Sequence, residues 1–156
     1  MKTLYIVRHA KTKDNIDDKA RELLPIGKER TQRLGQYLVE QNCQIDNIYT
    51  STALRAIQTT AIIAEEVHFA KSKIKEILYM GSVDNYIDLI VAQDNNDNSL
   101  MVVGHNPQVS SLVQFFIPDF SHYMQTGACF CIDFQTDKWE DIFMAKRVVR
   151  FYIRIS

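Results

Sequence analysis

Apolar residues occur along the chain in short consecutive runs, separated by longer stretches in which apolar positions recur with helical spacing. Four runs predict β-strands, and the first and third are apolar at consecutive positions, as expected for parallel strands covered on both faces. A later stretch alternates between apolar and polar side chains, which predicts an edge strand with one exposed face. The four runs are residues 4–7, 47–51, 99–104 and 128–134, and the alternating stretch is residues 146–156.

Helical patterns fill the segments between these strands. The clearest one places apolar residues at i, i+3, i+4, i+7 and i+8 from Val83, with Ser82 as its cap. Ser51 or Thr52 could cap the helix that follows the second strand. Strands that alternate with helices imply crossover connections, and hence a three-layer α/β/α sandwich with a mostly parallel central sheet. The predicted helices are residues 27–41, 53–67, 83–91 and 107–116.

The composition is that of an ordinary globular protein. The chain has 156 residues, of which 46% are hydrophobic and 24% charged, with a formal net charge of -1. This length predicts one domain over residues 1–156. The near-neutral charge gives no reason to expect binding to nucleic acid or to an anionic membrane. No leader pattern and no apolar run of about 20 residues is evident, so we expect a cytoplasmic protein.

The three cysteines predict neither a disulfide framework nor a metal site. Cys129 and Cys131 are two residues apart in a predicted strand and therefore share a face, while Cys43 lies far away in the sequence. A metal site would need further ligands near them, and none occurs there. We interpret them as buried free thiols.

Polar side chains suited to phosphate follow three of the predicted strands. Arg8 and His9 end the first strand, Arg55 lies in the first turn of the helix after the second, and His105 and Asn106 end the third. Taken singly, each has an ordinary explanation as a surface residue, a helix cap or a weak surface ion pair. Taken together, two arginines and two histidines at one sheet edge are costly to bury unless an anion or carboxylates meet them. No carboxylate lies within two residues of the arginines or of these histidines, so an anionic ligand is predicted.

Three sequence segments carry a family resemblance. "VRHAKTKDN" (7–15) resembles the R-H-G signature of the histidine phosphatase superfamily, which has the phosphoglycerate-mutase-like fold. "STALRAIQT" (51–59) resembles its S-x-x-x-R-A-x-Q-T segment, and "VVGHN" (102–106) resembles the segment with its second histidine. "ELLPIGKERTQ" (22–32) is similar to its helix start. The short chain is most similar to the SixA-type phosphohistidine phosphatases.

The resemblance implies a role for each matching residue. His9 would be the nucleophile that forms a phosphohistidine intermediate, Arg8 and Arg55 would bind phosphate, and His105 would donate to the transferring phosphoryl group. A histidine attacks phosphorus only when it is neutral, and we expect the neighbouring guanidinium groups to lower the pKa of His9. Charges around the equatorial oxygens supply the remaining requirement of phosphoryl transfer, so no metal or other cofactor is expected.

Three further residues are candidates for phosphate contact. Thr12 and Asn15 match later positions of the R-H-G signature, although both could equally be turn residues. Asn106 adjoins His105 and is the third candidate, with helix capping as its alternative. The chain departs from the family at Ala10, which replaces the signature glycine, and at Leu24, which replaces a threonine cap.

The general acid is the largest departure from the family pattern. Family members that act on phosphate esters carry a carboxylate after the second arginine helix, and here the nearest candidate is Glu76, on a predicted short strand. Its alternative role is that of an exposed surface residue. An alkoxide leaving group benefits from protonation by about 10²–10⁴-fold, whereas a phosphorylated imidazole can carry its own proton. The absence of a well-placed acid therefore favours a P–N bond.

These observations predict a metal-independent phosphatase that acts on phosphohistidine in proteins. Only about 50 residues separate Arg55 from His105, which leaves little chain for a lid over a small substrate. The expected partners are a protein bearing phosphohistidine and inorganic phosphate. Two alternatives remain open, a phosphomonoesterase of the same fold and a phosphate- or phosphoprotein-binding module without turnover.

Overall fold

Six strands form one central sheet in the computed structural model, which describes residues 1–69 and 72–156. The sheet order is β3-β2-β4-β1-β5-β6. The first four strands are parallel to one another, while β5 is antiparallel to β1 and β6 to β5. The strands are β1 (Lys2–Arg8), β2 (Asn47–Thr50), β3 (Lys73–Ile74), β4 (Ser99–Gly104), β5 (Cys129–Phe134) and β6 (Arg147–Ile153).

Helices cover both faces of this sheet, as the alternation of patterns predicted. The helices are α1 (Pro25–Glu40), α2 (Leu54–Glu66), α3 (Ile77–Met80), α4 (Val83–Val91) and α5 (Gln108–Phe116). Short 3₁₀ turns occupy Asp18–Ala20 and Trp139–Asp141. The three-layer α/β/α architecture is therefore confirmed, and β6 lies at a sheet edge as predicted.

The consecutive apolar residues of β1 divide between two cores. Leu4 and Ile6 join the core under α4 and α5, whereas Tyr5 and Val7 join the core under α1 and α2. All four side chains are fully buried. A strand with this pattern must be covered on both faces, which explains why its sequence shows no alternation.

The predicted caps and boundaries differ from the structure at a few positions. The N-cap of α2 is Ala53, without a side-chain cap bond, so neither Ser51 nor Thr52 has that position. Ser82 is the N-cap of α4, as predicted, and its backbone N–H donates to Oδ1 of Asn85 at 3.0 Å. Glu76 lies outside the short strand β3 and is the N-cap of α3. These shifts of one or two residues are typical of helix and strand ends.

The cysteines are free thiols. Cys129 and Cys131 are buried, and Cys43 is partly buried. Burial raises the pKa of all three, so they behave as small apolar side chains.

Within the described residues, no helix is long and apolar enough to cross a membrane.

Candidate active site

The sheet order brings three of the predicted strand ends together. β4 lies between β2 and β1, and Arg8 pairs in register with Gly104 at the end of β4. The backbone N–H of His9 donates to the carbonyl oxygen of Gly104 at 3.1 Å, and that of Ser51 donates to Val103 at 3.1 Å. The residues that follow these strands therefore share one edge of the sheet, where α/β proteins bind ligands.

His9 is buried with one ring nitrogen fixed. Its Nδ1 lies 2.8 Å from the carbonyl oxygen of Ala10. Because a carbonyl only accepts, Nδ1 carries the proton and Nε2 of the neutral ring has a free lone pair. The pKa of His9 is lowered to about 3, mainly by burial and also by the charges of His105, Arg55 and Arg8, while the hydrogen bond to Ala10 raises it. The expected direction is therefore confirmed, but desolvation rather than the guanidinium groups is the main cause.

His105 lies beside His9, with the two ring centroids 5.1 Å apart. Its Nε2 is 2.6 Å from Oγ of Ser51, and the same Oγ accepts the backbone N–H of Ala53 at 3.1 Å. Ser51 is fully buried, so its hydroxyl proton is best satisfied by donation to Nε2. The proton of the neutral His105 ring is then on Nδ1. Burial lowers the pKa of His105 to about 4.

Arg55 lies at the start of α2 and is only 6% exposed. Its Nη1 donates to the carbonyl oxygen of Asp18 at 2.7 Å, and its Nη2 donates to Oδ2 of Asp18 at 3.0 Å. No carboxylate lies within two residues of Arg55 in the sequence, but Asp18 meets it in the structure and supplies part of the negative charge for which an anionic ligand was predicted. Asp18 is distant in sequence, and the loop between β1 and α1 brings it to the site.

Arg8 and Asn106 are both fixed by one backbone carbonyl. Nη1 of Arg8 donates to the carbonyl oxygen of Met124 at 3.0 Å, and Nδ2 of Asn106 donates to the same oxygen at 2.9 Å. Oδ1 of Asn106 accepts from Oγ of Ser110 at 2.5 Å. Asn106 is not the N-cap of α5, since Pro107 has that position. Its amide instead orients the loop beside Arg8.

Three buried side-chain nitrogens of this cluster have no hydrogen-bond partner within the described part of the chain. They are Nε of Arg8, Nε of Arg55 and Nδ1 of His105. Unpaired buried donors are rare in folded proteins, because each costs the free energy of its desolvation. The cluster thus holds two cationic groups and one neutral N–H donor with unused hydrogen-bonding capacity in the described residues, which favours an anionic ligand.

Thr12 and Asn15, the other predicted phosphate contacts, have hydrogen-bond partners in the loop after β1. Oγ1 of Thr12 accepts from Nη2 of Arg21 at 2.6 Å, and Oδ1 of the exposed Asn15 accepts from the backbone of Asp17. The structure thus brings Arg8, His9, Arg55 and His105 together, but it gives Thr12 and Asn15 partners within the loop.

Glu76 is an exposed carboxylate that pairs with Lys19 at 2.9 Å. The hydrogen bond from Lys19 lowers the pKa of Glu76. The exposed position of Glu76 agrees with its alternative interpretation as a surface residue rather than with a role as general acid.

Asp18, Ser51 and Tyr79 belong to the surroundings of the site and were not identified from the sequence as site residues. The hydroxyl of Tyr79 donates to Oδ2 of Asp18 at 2.7 Å, and its ring packs edge-on against His105 with centroids 5.6 Å apart. Ser51 stands in the S-x-x-x-R segment, which was a usable signal. Asp18 and Tyr79 lie in stretches without periodicity or a motif.

A metal centre has no evident ligand set in the described ranges 1–69 and 72–156. No group of three or more His, Cys, Asp or Glu side chains there is arranged to hold a metal ion. The positive charge at the site is that of its arginines.

Comparison with known proteins gives one family match and several structural neighbours. Residues 4–79 match the model of the histidine phosphatase superfamily (branch 1). An uncharacterised protein of Mycobacterium tuberculosis is 34% identical over 108 residues, which are 68% of this chain and 66% of that protein. The chain thus spans slightly less than two thirds of the length of that relative.

Two solved structures share the fold over nearly the whole chain. One is a SixA protein of Nakamurella multipartitia, a proposed phosphohistidine phosphatase, with a TM-score of 0.85, 22% identity and coverage of 99% of this chain and 96% of the other. The other is the protein histidine phosphatase SixA complexed with tungstate, with a TM-score of 0.85, 20% identity and coverage of 97% and 96%.

These neighbours and the sheet order define an α/β/α protein with the phosphoglycerate-mutase-like fold. The segment that matches the model of the histidine phosphatase superfamily covers slightly less than half of the chain and contains Arg8, His9 and Arg55.

Proposed function

We propose that this protein is a metal-independent phosphatase that removes phosphate from phosphohistidine in proteins, with His9 as the nucleophile. One observation carries the proposal: within the described residues, Nε of Arg8, Nε of Arg55 and Nδ1 of His105 are buried without hydrogen-bond partners, and the ring of His105 lies 5.1 Å from that of His9, whose proton is held on Nδ1. A phosphoryl group would accept from all three donors and place its phosphorus against Nε2. Phosphoryl transfer needs this positioning and charge more than it needs covalent assistance.

In the first step, Nε2 of His9 attacks phosphorus, and the P–N bond to the substrate imidazole breaks. The substrate ring leaves as neutral imidazole when its other nitrogen carries a proton. Arg8, Arg55 and the Nδ1–H of His105 donate to the phosphoryl oxygens, whose charge they stabilise in the transition state. The phosphoryl group is then bonded to His9.

In the second step, water attacks phosphorus and the bond to His9 breaks. The hydrogen bond to the carbonyl oxygen of Ala10 keeps the proton on Nδ1 of His9. The phosphorylated ring is therefore cationic, and it leaves as neutral imidazole without a separate acid. Inorganic phosphate and the starting form of His9 are the products.

The carboxylates near the site support a P–N substrate over an ester. Asp18 contacts Arg55, and hydrogen bonds from Tyr79 and Arg55 lower its pKa to about 2. Glu76 is exposed, and its pKa is also lowered. Both are ionised at neutral pH and have no proton to give to an alkoxide. An imidazole leaving group has no such need.

The structural neighbours support the same substrate class. Two of them are SixA proteins, one a protein histidine phosphatase and the other proposed to be a phosphohistidine phosphatase. Tungstate, an oxyanion, occupies one of them, and oxyanion binding is the property that we infer for the unpaired donors of this site.

A substrate comparison tests the proposal. The ratio kcat/KM is measured on a phosphohistidine-bearing carrier protein, on sugar phosphates and on a phosphoserine peptide, with and without EDTA. We expect at least about a tenfold preference for the carrier protein and no effect of EDTA.

Two variants serve as controls. His9→Asn should abolish turnover of every substrate, and Glu76→Gln should change none of them. Faster turnover of esters, with a loss in Glu76→Gln on esters alone, would instead identify a phosphomonoesterase that uses Glu76 as its acid. Phosphate binding without any turnover would identify a binding module.

A further inference from the structure

Asp18 contacts Arg55 through two of its own oxygen atoms. Its backbone carbonyl accepts from Nη1, and its Oδ2 accepts from Nη2, at 2.7 and 3.0 Å. Both bonds are charge-assisted and therefore stronger than a bond between neutral groups. The Arg55 side chain is 7% exposed, whereas that of Asp18 is 50% exposed. The buried guanidinium group of Arg55 is thus bound by a residue that lies on its solvent-exposed side.

The contact with Asp18 uses only one of the hydrogen-bonding edges of the planar Arg55 guanidinium group. A guanidinium carries five N–H donors in a fixed plane. Asp18 occupies the end edge formed by Nη1 and Nη2, while on the side edge Nε is buried and has no hydrogen-bond partner among residues 1–69 and 72–156. The plane of the group is therefore fixed while the edge suited to a phosphoryl oxygen pair remains open.

Asp18 is itself fixed from two other sides. Tyr79 donates to its Oδ2 at 2.7 Å, and Nη1 of Arg21 lies 3.4 Å from its Oδ1. The Tyr79 ring also packs edge-on against His105. Asp18 therefore connects the loop after β1, the start of α2 and α3 at the rim of the cluster.

We propose that Asp18 is a positioning residue that orients Arg55, so that the Nε edge of the guanidinium faces the phosphoryl group during transfer. This inference rests on the proposed function. Asp18 does not touch the substrate, and its effect on the reaction passes through Arg55. The side chain of Asp18 is not a proton donor in this role, because its Oδ2 accepts hydrogen bonds from both Arg55 and Tyr79.

A double-mutant cycle tests the dependence on Arg55. Asp18→Ala should lower kcat/KM about tenfold in the otherwise unchanged protein, as is typical for loss of coupling between contacting residues. In an Arg55→Ala background the same change should cost less than about twofold. Asp14→Ala, which removes an exposed carboxylate from the same loop, is the matched control and should cost less than about twofold in both backgrounds.

The variant Asp18→Asn separates position from charge. Asparagine keeps the backbone carbonyl and one side-chain oxygen for Arg55, but it lacks the negative charge. If Asp18 acts by position, Asp18→Asn should retain most of the activity that Asp18→Ala loses. An Asn variant as impaired as the Ala variant would overturn the proposal, and so would an equal loss from Asp18→Ala in both backgrounds.

Titration with inorganic phosphate provides a readout that needs no turnover. The NMR resonance of Arg55 Nε–H, assigned by its loss in Arg55→Lys, should shift on addition of phosphate, and the shift should be smaller in Asp18→Ala. The same shift in both proteins would contradict a positioning role. A shift that depends on Asp18, together with a preference for ester substrates, would support the positioning role while overturning the proposed substrate class.

Discussion

In each of the two site histidines, one neighbouring oxygen atom determines which ring nitrogen carries the proton. The carbonyl oxygen of Ala10 holds the proton of His9 on Nδ1, and the hydroxyl of Ser51 directs that of His105 to Nδ1 as well. The two rings consequently present opposite functions, a lone pair on Nε2 of His9 and an N–H donor on Nδ1 of His105. In the proposed mechanism, this difference allows the first ring to attack phosphorus while the second binds its oxygens.

Replacing Ser51 by Ala removes the donor that selects the His105 tautomer. The ring can then carry its proton on Nε2, and the loss of one hydrogen bond worth about 1 kcal/mol should lower kcat/KM roughly five- to tenfold. Steady-state kinetics measures the effect, and thermal unfolding checks that the fold is retained. The exposed Ser111→Ala is the control and should behave as the unchanged protein. Unaltered kinetics in Ser51→Ala would show that the tautomer of His105 does not matter.

The four central residues of the site could be identified from the sequence, but their surroundings could not. Arg8, His9, Arg55 and His105 stand where an apolar run ends or a helix begins, so strand-end reasoning reaches them. The contact between Asp18 and Arg55 joins residues 37 positions apart, and no spacing rule encodes it. The cause of the lowered pKa of His9 was also missed. The sequence shows the neighbouring arginines, whereas burial, the largest cause, is a property of the whole fold.

At the scale of elements, α1 begins against the loop that carries the site. Leu24 is its N-cap without a side-chain cap bond, as expected from the loss of threonine, and its backbone N–H donates instead to the carbonyl oxygen of Lys11 at 2.9 Å. Gly27 faces the same backbone, because a Cβ there would overlap the Lys11 carbonyl oxygen. The helix and the segment after His9 are therefore in direct backbone contact.

Replacing Gly27 by Ala should destabilise the protein in spite of the better helix propensity of alanine. Alanine gains up to about 1 kcal/mol in a helix interior, but overlap with a backbone carbonyl forces a shift that costs about 1–3 kcal/mol. We expect lower stability in urea unfolding and reduced kcat/KM, since Lys11 follows Ala10 and His9. Gln32→Ala, at an exposed position of the same helix, should leave both unchanged. A more stable Gly27→Ala would show that the two backbones are not in tight contact.

Long periodic elements were predictable, and short ones were less so. The predicted helix at residues 83–91 and the predicted strand at residues 99–104 coincide with α4 and β4. Both segments are long enough for the pattern of buried apolar side chains to show the type of element. β3 has two residues and α3 has four, too few for a period to appear. Their positions depend on pairing with β2 and on contacts with the neighbouring elements.

At the scale of the whole molecule, the strand order creates the site. His9, Ser51 and His105 follow β1, β2 and β4, which are far apart in sequence but adjacent in the sheet. Parallel strands were expected from the consecutive apolar runs, but their order is a non-local property that such runs do not encode. The resemblance of the motifs to the histidine phosphatase superfamily implied the phosphoglycerate-mutase-like fold, and the structure gives the strand order.

Burial of two neutral histidines should make folding stability dependent on pH. The pKa values of His9 and His105 fall to about 3 and 4 in the folded chain, below the value of about 6.5 in an unfolded chain. Between these limits the unfolded chain binds more protons, so the free energy of unfolding decreases as the pH falls below about 6.5. The decrease should be roughly 1 kcal/mol per pH unit for each histidine, measured by urea unfolding between pH 7 and pH 5. His105→Asn should halve the slope, and a flat profile would contradict neutral, buried rings.

The most direct test of the central claim is to trap the phosphoryl group on the protein. The reaction with a phosphohistidine-bearing carrier protein is quenched in alkali within one turnover, and the modified residue is located by mass spectrometry of its peptides. We predict an acid-labile, alkali-stable phosphoryl group on His9, which is present in the unchanged protein and absent from His9→Asn. A phosphoryl group on His105, or turnover that survives in His9→Asn, would contradict the account.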